Sequence, residues 1–409
     1  MSKEQQMRLL SFIALVIFTL FCPFRLNAAG FRYGLDVLDA DGYRMLQGKR
    51  VGLIANAASV GTSGEPGYRL LLRHGVNLKF LMAPEHGFSI DREAGQLVGD
   101  SAVTASIPVY SLYGASKKPD LSLLKSIDVL LFDLQDVGTR CYTYISTMRL
   151  AMEACRDAGI TFVVLDRPNP ISPVSASGFV LESSEESFVG VAGLPFLHGM
   201  TVGEIARWLQ KSRYPGLSLT VVPMQGYNRH GFADQLEGFR FIAPSPNIRD
   251  LQTALVYPAT VLLEATDVSE GRGTEEPFRM FGAPFVNGVR LLQELDRYRL
   301  PGVEFQPAVF TPASGKFKGS QCQGVRLRIS DRNSFEPFRT SVAILLSLQK
   351  YYPAELGLSR QASFFDQLAG TARYRTMVIR QRPIGEIVEA ARRSVQAFEA
   401  DSSDRILYH

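Results

Sequence analysis

The chain has 409 residues, 46% of them hydrophobic and 21% charged, and carries a net charge of +4. That length allows two domains with sizeable cores, and the composition excludes a disordered chain. The near-balanced charge, without a clustered basic stripe, excludes a dedicated nucleic-acid binder.

Residues 1–28 have the layout of a secretory signal. Lys3 and Arg8 precede an apolar run from Leu9 to Phe21, and Asn27-Ala28-Ala29 supplies small residues near a cleavage point. The run is short for a membrane span, with a retained anchor as the alternative. The expectation is an exported protein, periplasmic or secreted, with no stable membrane insertion once the signal is cleaved. ATP and NAD are scarce there, and no cofactor is expected.

Val51–Ala55 reads as the first strand, with Asn56 at its end. Pro66–His74 is a short helix stopped by Gly75. Leu78–Met82, Val129–Phe132 and Thr161–Leu165 have the length and aliphatic content of strands buried on both faces. Pro108–Leu112 adds a short strand and Leu121–Lys125 a helical turn. Tyr144–Ala158 carries Ile145, Met148 and Met152 at helical spacing. Thr201, with Glu204 three residues on, caps a helix over Val202–Ser212. Leu217–Val222 is a further strand. This alternation predicts a Rossmann-like α/β domain with a mostly parallel sheet over 30–232.

Between 223 and 250 the periodicity gives way to Pro, Gly, Asn and aromatics, which places a boundary near Gly231–Asp234. Residues 235–409 read as a smaller α+β domain. It has a helical stretch at Leu251–Tyr257, a polar loop at Thr266–Pro277 and strands at Val303–Phe310 and Gly324–Ile329. A long helix at Phe335–Tyr352 and an Arg- and Ala-rich helical tail complete it.

Three of the apolar strands end in bursts of polar residues, and open α/β sheets bind ligands beyond the carboxyl ends of their strands. Pro84-Glu85-His86-Gly87 can hold Glu85 as a general acid, or as a helix-capping carboxylate. His86 with Asp91 and Glu93 lacks any metal-ligand spacing, so no metal is expected. In Asp136-Val137-Gly138-Thr139-Arg140, Arg140 suits a carboxylate grip, or an internal pair with Asp133 or Asp136. Tyr142 and Tyr144 offer aromatic platforms or core. Asp166-Arg167-Pro168-Asn169-Pro170 is a rigid polar loop, for binding or for a turn.

His198 sits at a helix mouth, structural or functional. Ser245-Pro246-Asn247 hinges or lines a cleft. The loop from Glu264 to Thr274 offers Glu264 and Glu270 as carboxylates and Arg272, between two glycines, as an anion grip; a solvated loop is the plain reading. The four cysteines form no CxxC, which fits buried thiols, or a disulfide between two of Cys141, Cys155 and Cys322. No GxSxG, SxxK, Walker or dinucleotide pattern is present. Glycoside hydrolysis fits what remains, because it needs two carboxyl groups and no cofactor.

In order along the chain stand Gly34-Leu35-Asp36-Val37-Leu38, Ala83-Pro84-Glu85-His86-Gly87-Phe88, Phe132-Asp133-Leu134-Gln135-Asp136-Val137-Gly138 and Tyr142-Thr143-Tyr144. Leu165–Pro170, His198–Glu204, Pro244-Ser245-Pro246-Asn247, Ser269–Thr274 and Gly282-Ala283-Pro284 follow. Together these segments resemble the bacterial exo-β-N-acetylmuramidases, the NamZ or YbbC-like glycoside hydrolases. The resemblance implies a Rossmann-like domain, a smaller carboxy-terminal domain and an active site in the cleft between them. It also implies removal of terminal non-reducing β-linked N-acetylmuramic acid from peptidoglycan fragments, so the expected partners are muramyl saccharides.

On that reading Glu85 is the general acid, with His86 beside it. Glu270 is the first choice for the second carboxylate, then Glu264 or Asp136, unless the substrate acetamido group is the nucleophile. Arg140 or Arg272 would hold the lactyl carboxylate. His86, Asn56, Asn169 and Asn247 would bond sugar hydroxyls, with Tyr144, Arg167 and His198 completing the binding walls. The rival of another class is a periplasmic muropeptide-binding module without catalysis. An amidase or esterase would need an activated nucleophile or a metal, and neither signature is present.

Overall fold

Seven strands form the larger sheet of the computed structural model, which describes residues 30–104 and 107–408. They are β1 (Arg50–Ala55), β2 (Asn77–Ala83), β3 (Ser101–Thr104), β4 (Ile107–Ser111), β5 (Val129–Asp133), β6 (Thr161–Leu165) and β7 (Leu219–Val222). Their spatial order is β3-β4-β2-β1-β5-β6-β7, and every neighbouring pair except β3–β4 is parallel. The chain runs from β1 to β2 on one side and later returns to lay β5 on the other. Without β3 and β4 this is the doubly wound 2-1-3-4-5 arrangement. The expected α/β fold class is observed. The signal-like segment lies outside the described residues.

The apolar strand runs explain the layers. Val51, Leu53, Leu131, Val163 and Leu165 alternate onto one face, packing with Leu35, Leu38 and Leu71 from the helices Gly34–Ala40 and Gly67–Arg73. Ile54, Leu130, Phe132, Phe162 and Val164 alternate onto the other, against helices Tyr144–Ala158 and Val202–Arg213. Both faces are dry, which is why these strands read as continuous apolar runs. Thr201 and Glu204 form the expected capping box at 3.3 and 3.0 Å.

The second sheet is antiparallel, in the order β8-β10-β9, from β8 (Met280–Ala283), β9 (Val303–Phe310) and β10 (Cys322–Ile329). Helices Leu251–Thr260 and Pro337–Tyr351 pack in the same half. Val325, Leu327, Phe281 and the helix residues Ile344 and Leu345 belong to the same continuous core as Phe132 and Phe162. The two halves therefore share one interior, and the chain from Phe31 onward packs as one unit. The tail closes back on the first half: the Tyr408 hydroxyl donates to Asp166 Oδ2 at 2.6 Å and accepts from the Met224 amide at 2.9 Å.

Among the described residues no helix is long and apolar enough to cross a membrane. Cys141, Cys155 and Cys322 are free and buried, so the disulfide alternative does not hold.

Candidate active site

A cavity of about 390 Å³ opens where the β2 end meets loops of the second half. Its wall includes Glu85, His86, Tyr113, Tyr142, Thr143, Ser245, Glu264, Glu270, Arg272 and Lys316. That volume suits a small ligand. A larger cavity of about 590 Å³ is lined by Pro173, Phe232, Phe335 and Phe338 and contains a single carboxylate, Glu336. It cannot supply a carboxylate pair.

β2 stops because Pro84 has no N–H to continue the ladder. The chain then turns sharply, with His86 at φ 73° and Gly87 at φ 77°. A positive φ is uncommon for a non-glycine residue and stores modest strain. The turn swings Glu85 into the cavity and fixes both its oxygens. The Gly95 amide donates to Oε1 at 2.8 Å, and the Thr143 hydroxyl donates to Oε2 at 2.7 Å. The Tyr113 phenol lies against the same carboxyl group. Burial, and then the Glu85 charge, push it up to about 12, so it stays a neutral hydroxyl.

His86 Nδ1 lies 2.8 Å from the Arg92 carbonyl. A carbonyl can only accept, so Nδ1 carries a proton. Burial lowers the pKa of the ring against the pull of Glu85. The neutral ring therefore leaves Nε2 as an acceptor.

The facing wall is built by the glycine-flanked loop. Gly271 and Gly273 have φ 82° and 78°. A Cβ on Gly271 would meet the Met280 carbonyl at 2.6 Å, and one on Gly273 would strike the Ser314 backbone. The loop is thus shaped rather than free, and it clamps Arg272. Arg272 Nη2 reaches Glu264 Oε1 at 2.6 Å, its Nε lies 3.4 Å from Glu270 Oε1, and the guanidinium stacks 4.8 Å from the Phe278 ring centroid. Lys316 Nζ reaches Glu270 Oε2 at 3.2 Å and the carbonyls of Leu263 and Val268 at 2.7 and 3.1 Å. Burial pushes the Glu264 carboxyl above its ordinary range against the pull of Arg272, and the Glu270 charge adds to the push. The Glu264 side chain remains 22% exposed, that of Glu270 only 5%.

The other predicted residues are placed elsewhere, and the expected convergence of all three polar bursts needs correction. Arg140 is fully buried and donates to the carbonyls of Phe179, Leu194 and Leu368 at 2.7–2.9 Å. It has no face toward the cavity and is neither an anion grip nor an ion-pair partner. Arg167 is buried against Asp133 at 2.5 Å, donates to the Val60 carbonyl and stacks 4.8 Å from the Tyr33 ring centroid. Asp136 accepts from the Gly138 amide at 2.6 Å and lies 3.1 Å from His198 Nε2. The Met200 amide donates to His198 Nδ1, so the proton of the neutral ring sits on Nε2 and points at Asp136. Asn169 spends its amide on the Met200 carbonyl and the Ile171 N–H. These five are committed to partners inside the protein, side chains or backbone, and none lines the cavity.

Asn56 and Tyr144 pair with each other at 2.9 Å, and the Tyr144 hydroxyl reaches the Pro244 carbonyl at 2.7 Å, one layer behind Glu85. Asn247 donates to Glu93 at 3.0 Å and so ties down the loop that presents the Gly95 amide. Thr143, Tyr113 and Lys316 are cavity residues that the sequence reading missed. Tyr113-Gly114 after a short strand and Gly315-Lys316 after β9 were the available signals. Cys141 also lines the cavity, but burial pushes its thiol up to about 12, which disfavours the thiolate. Among the described residues no group of three His, Cys, Asp or Glu side chains could hold a metal ion.

The chain is 41% identical over 377 residues to the peptidoglycan β-N-acetylmuramidase NamZ of Bacillus subtilis (strain 168), covering 92% of this chain and 91% of that protein. Two crystal structures of DUF1343 family proteins from Bacteroides fragilis NCTC 9343 superpose on it. One gives a TM-score of 0.85 at 34% identity, the other 0.74 at 27%; each covers 93% of this chain and 99% of the other. The family model for the amino-terminal domain of exo-β-N-acetylmuramidase NamZ matches residues 51–252, and that for the carboxy-terminal domain matches 255–408. With both domains matched in order, and a relative of this identity along nearly the whole chain, the protein belongs to the NamZ exo-β-N-acetylmuramidase family.

Proposed function

We infer that the protein is an exo-acting glycoside hydrolase that removes terminal N-acetylmuramic acid from the non-reducing end of peptidoglycan fragments. The observation that carries this reading is a single cavity in which Glu85 meets a Glu264–Glu270 pair, in a chain related throughout its length to a peptidoglycan β-N-acetylmuramidase. Glu85, oriented by Gly95 and Thr143, is the general acid that protonates the leaving oxygen. Glu264 takes precedence over Glu270 as the second carboxylate. It has one cationic partner instead of two, more exposure to the cavity and a raised pKa, which makes it the better proton acceptor. Asp136 leaves that list because its carboxyl group is committed to His198. His86 Nε2 is an acceptor for a sugar hydroxyl.

Work outside the cytoplasm is part of the same proposal and rests on the signal-like residues 1–28. The rival, a binding module without catalysis, gains no observation in its favour. Incubation with 4-nitrophenyl N-acetylmuraminide separates the two: nitrophenol release supports the hydrolase, and saturable binding without release refutes it.

A further inference from the structure

The lactyl carboxylate distinguishes muramic acid from glucosamine, and a cavity that selects it needs a cation with bonding capacity to spare. Three nearby cations are already committed. Arg140 is buried away from the cavity on three carbonyls, the Arg272 charge is offset by Glu264 and Glu270, and Lys316 spends its three N–H donors on Glu270 and two carbonyls. The adjacent surface holds a fourth. Lys117 is half-buried, and its ammonium lies 4.2 Å from the Phe188 ring centroid and 4.9 Å from that of Tyr113. The two rings pack together with centroids 5.5 Å apart.

Tyr113 is a cavity wall residue in contact with Glu85, and Val189, next to Phe188, lines the cavity too. The ammonium therefore sits one aromatic ring away from the cavity. Among the described residues it has no carboxylate or hydrogen-bond partner. Its chain neighbour Lys118, by contrast, is held by Glu153 and Asp157 at 2.8 and 3.1 Å. Two aromatic faces stabilise a cation while leaving its N–H donors unused.

We propose that Lys117 is a specificity residue that binds the substrate's free lactyl carboxylate at the cavity rim. The proposal rests on the muramidase reading above. The Tyr113 and Phe188 rings hold the ammonium in place, so little side-chain freedom is lost when the carboxylate arrives. The substrate class it favours is a muramyl saccharide whose lactyl group is an acid, over one in which that group is an amide.

The test compares 4-nitrophenyl N-acetylmuraminide with its lactyl carboxamide. Wild type is expected to favour the acid by about tenfold in kcat/KM, the scale of one charge-assisted hydrogen bond. Lys117→Met should abolish that preference by raising KM for the acid, while Lys117→Arg retains most of it. An undiminished preference in Lys117→Met overturns the assignment, as does a wild type that treats acid and amide alike. A wild type that cleaves neither compound overturns the muramidase reading itself, a different outcome from loss of the preference alone.

Discussion

Two clusters of charge stand beyond the carboxyl ends of the same sheet. Behind β5 and β6, Asp133 meets Arg167 and Asp136 meets His198, all buried and paired inside the protein, with one oxygen of each carboxylate, Asp133 Oδ2 and Asp136 Oδ1, left without a partner among the described residues. Behind β2, Glu85 and His86 look into a cavity, and Glu264, Glu270, Arg272 and Lys316 of the second half close its far wall. Residue types barely differ between the two. What differs is whether the partners of each charge are all protein. A cluster paired inside the interior holds the fold together, whereas one that lines a cavity keeps capacity for a ligand.

The contrast predicts that substitutions on the cavity side cost rate and those on the buried side cost stability. The largest effect is Glu85→Gln, expected to lower kcat by ~10²–10⁴-fold, the usual range for a lost acid–base group. Its thermal unfolding should stay close to wild type, and a calorimetric scan beside the rate assay checks both halves.

Arg167→Met leaves Asp133 charged and buried, and should cost about 3–5 kcal/mol in urea unfolding with KM of the folded enzyme unmoved. A raised KM at full stability would return Arg167 to the substrate site.

Asp166 gives a smaller effect with a definite sign. Burial pushes its carboxyl from 3.8 up to about 6, against donation from Tyr408, Gly203 and Thr201. A carboxyl raised on folding contributes stability below its unfolded value and loses it as pH rises through the folded one. Relative to Asp166→Asn, wild type should therefore lose about 3 kcal/mol between roughly pH 4 and pH 6, read from denaturant unfolding.

The smallest effects sharpen the cavity side. Glu264 must be ionised to accept a proton, so activity falls as pH drops through its raised pKa. Glu270→Gln removes a charge that raises that pKa and should move the acid limb of kcat/KM to lower pH. Arg272→Gln removes one that lowers it and should move the limb to higher pH. Parallel movement of the two variants would detach Glu264 from the limb.

The large sheet was legible because strands buried on both faces write themselves as uninterrupted aliphatic runs, as in Val129–Phe132. The strand β8 was not, since Met280–Ala283 is four residues long with Gly282 set opposite Gly324, a pairing chosen for close backbone approach. In the site, Glu85, Glu264, Glu270 and Arg272 were legible from loop chemistry, where proline or glycine brackets a charge. Arg140 and Arg167 were misread for the same reason. A polar burst after a strand looks alike in sequence whether it faces ligand or carbonyls, and only tertiary packing places Phe179 and Leu368 around Arg140. Lys117 carries no such bracket, and its position depends on Phe188, seventy-one residues away along the chain.

A crystal structure of Glu85→Gln with a muramyl disaccharide tests the central claim most directly. The expected result is the muramyl ring between residue 85 and the Glu264–Glu270 pair, with the glycosidic oxygen within hydrogen-bond reach of residue 85. A sugar bound instead in the larger cavity at Phe335 and Phe338, or against an opened Asp133–Arg167 pair, would contradict it.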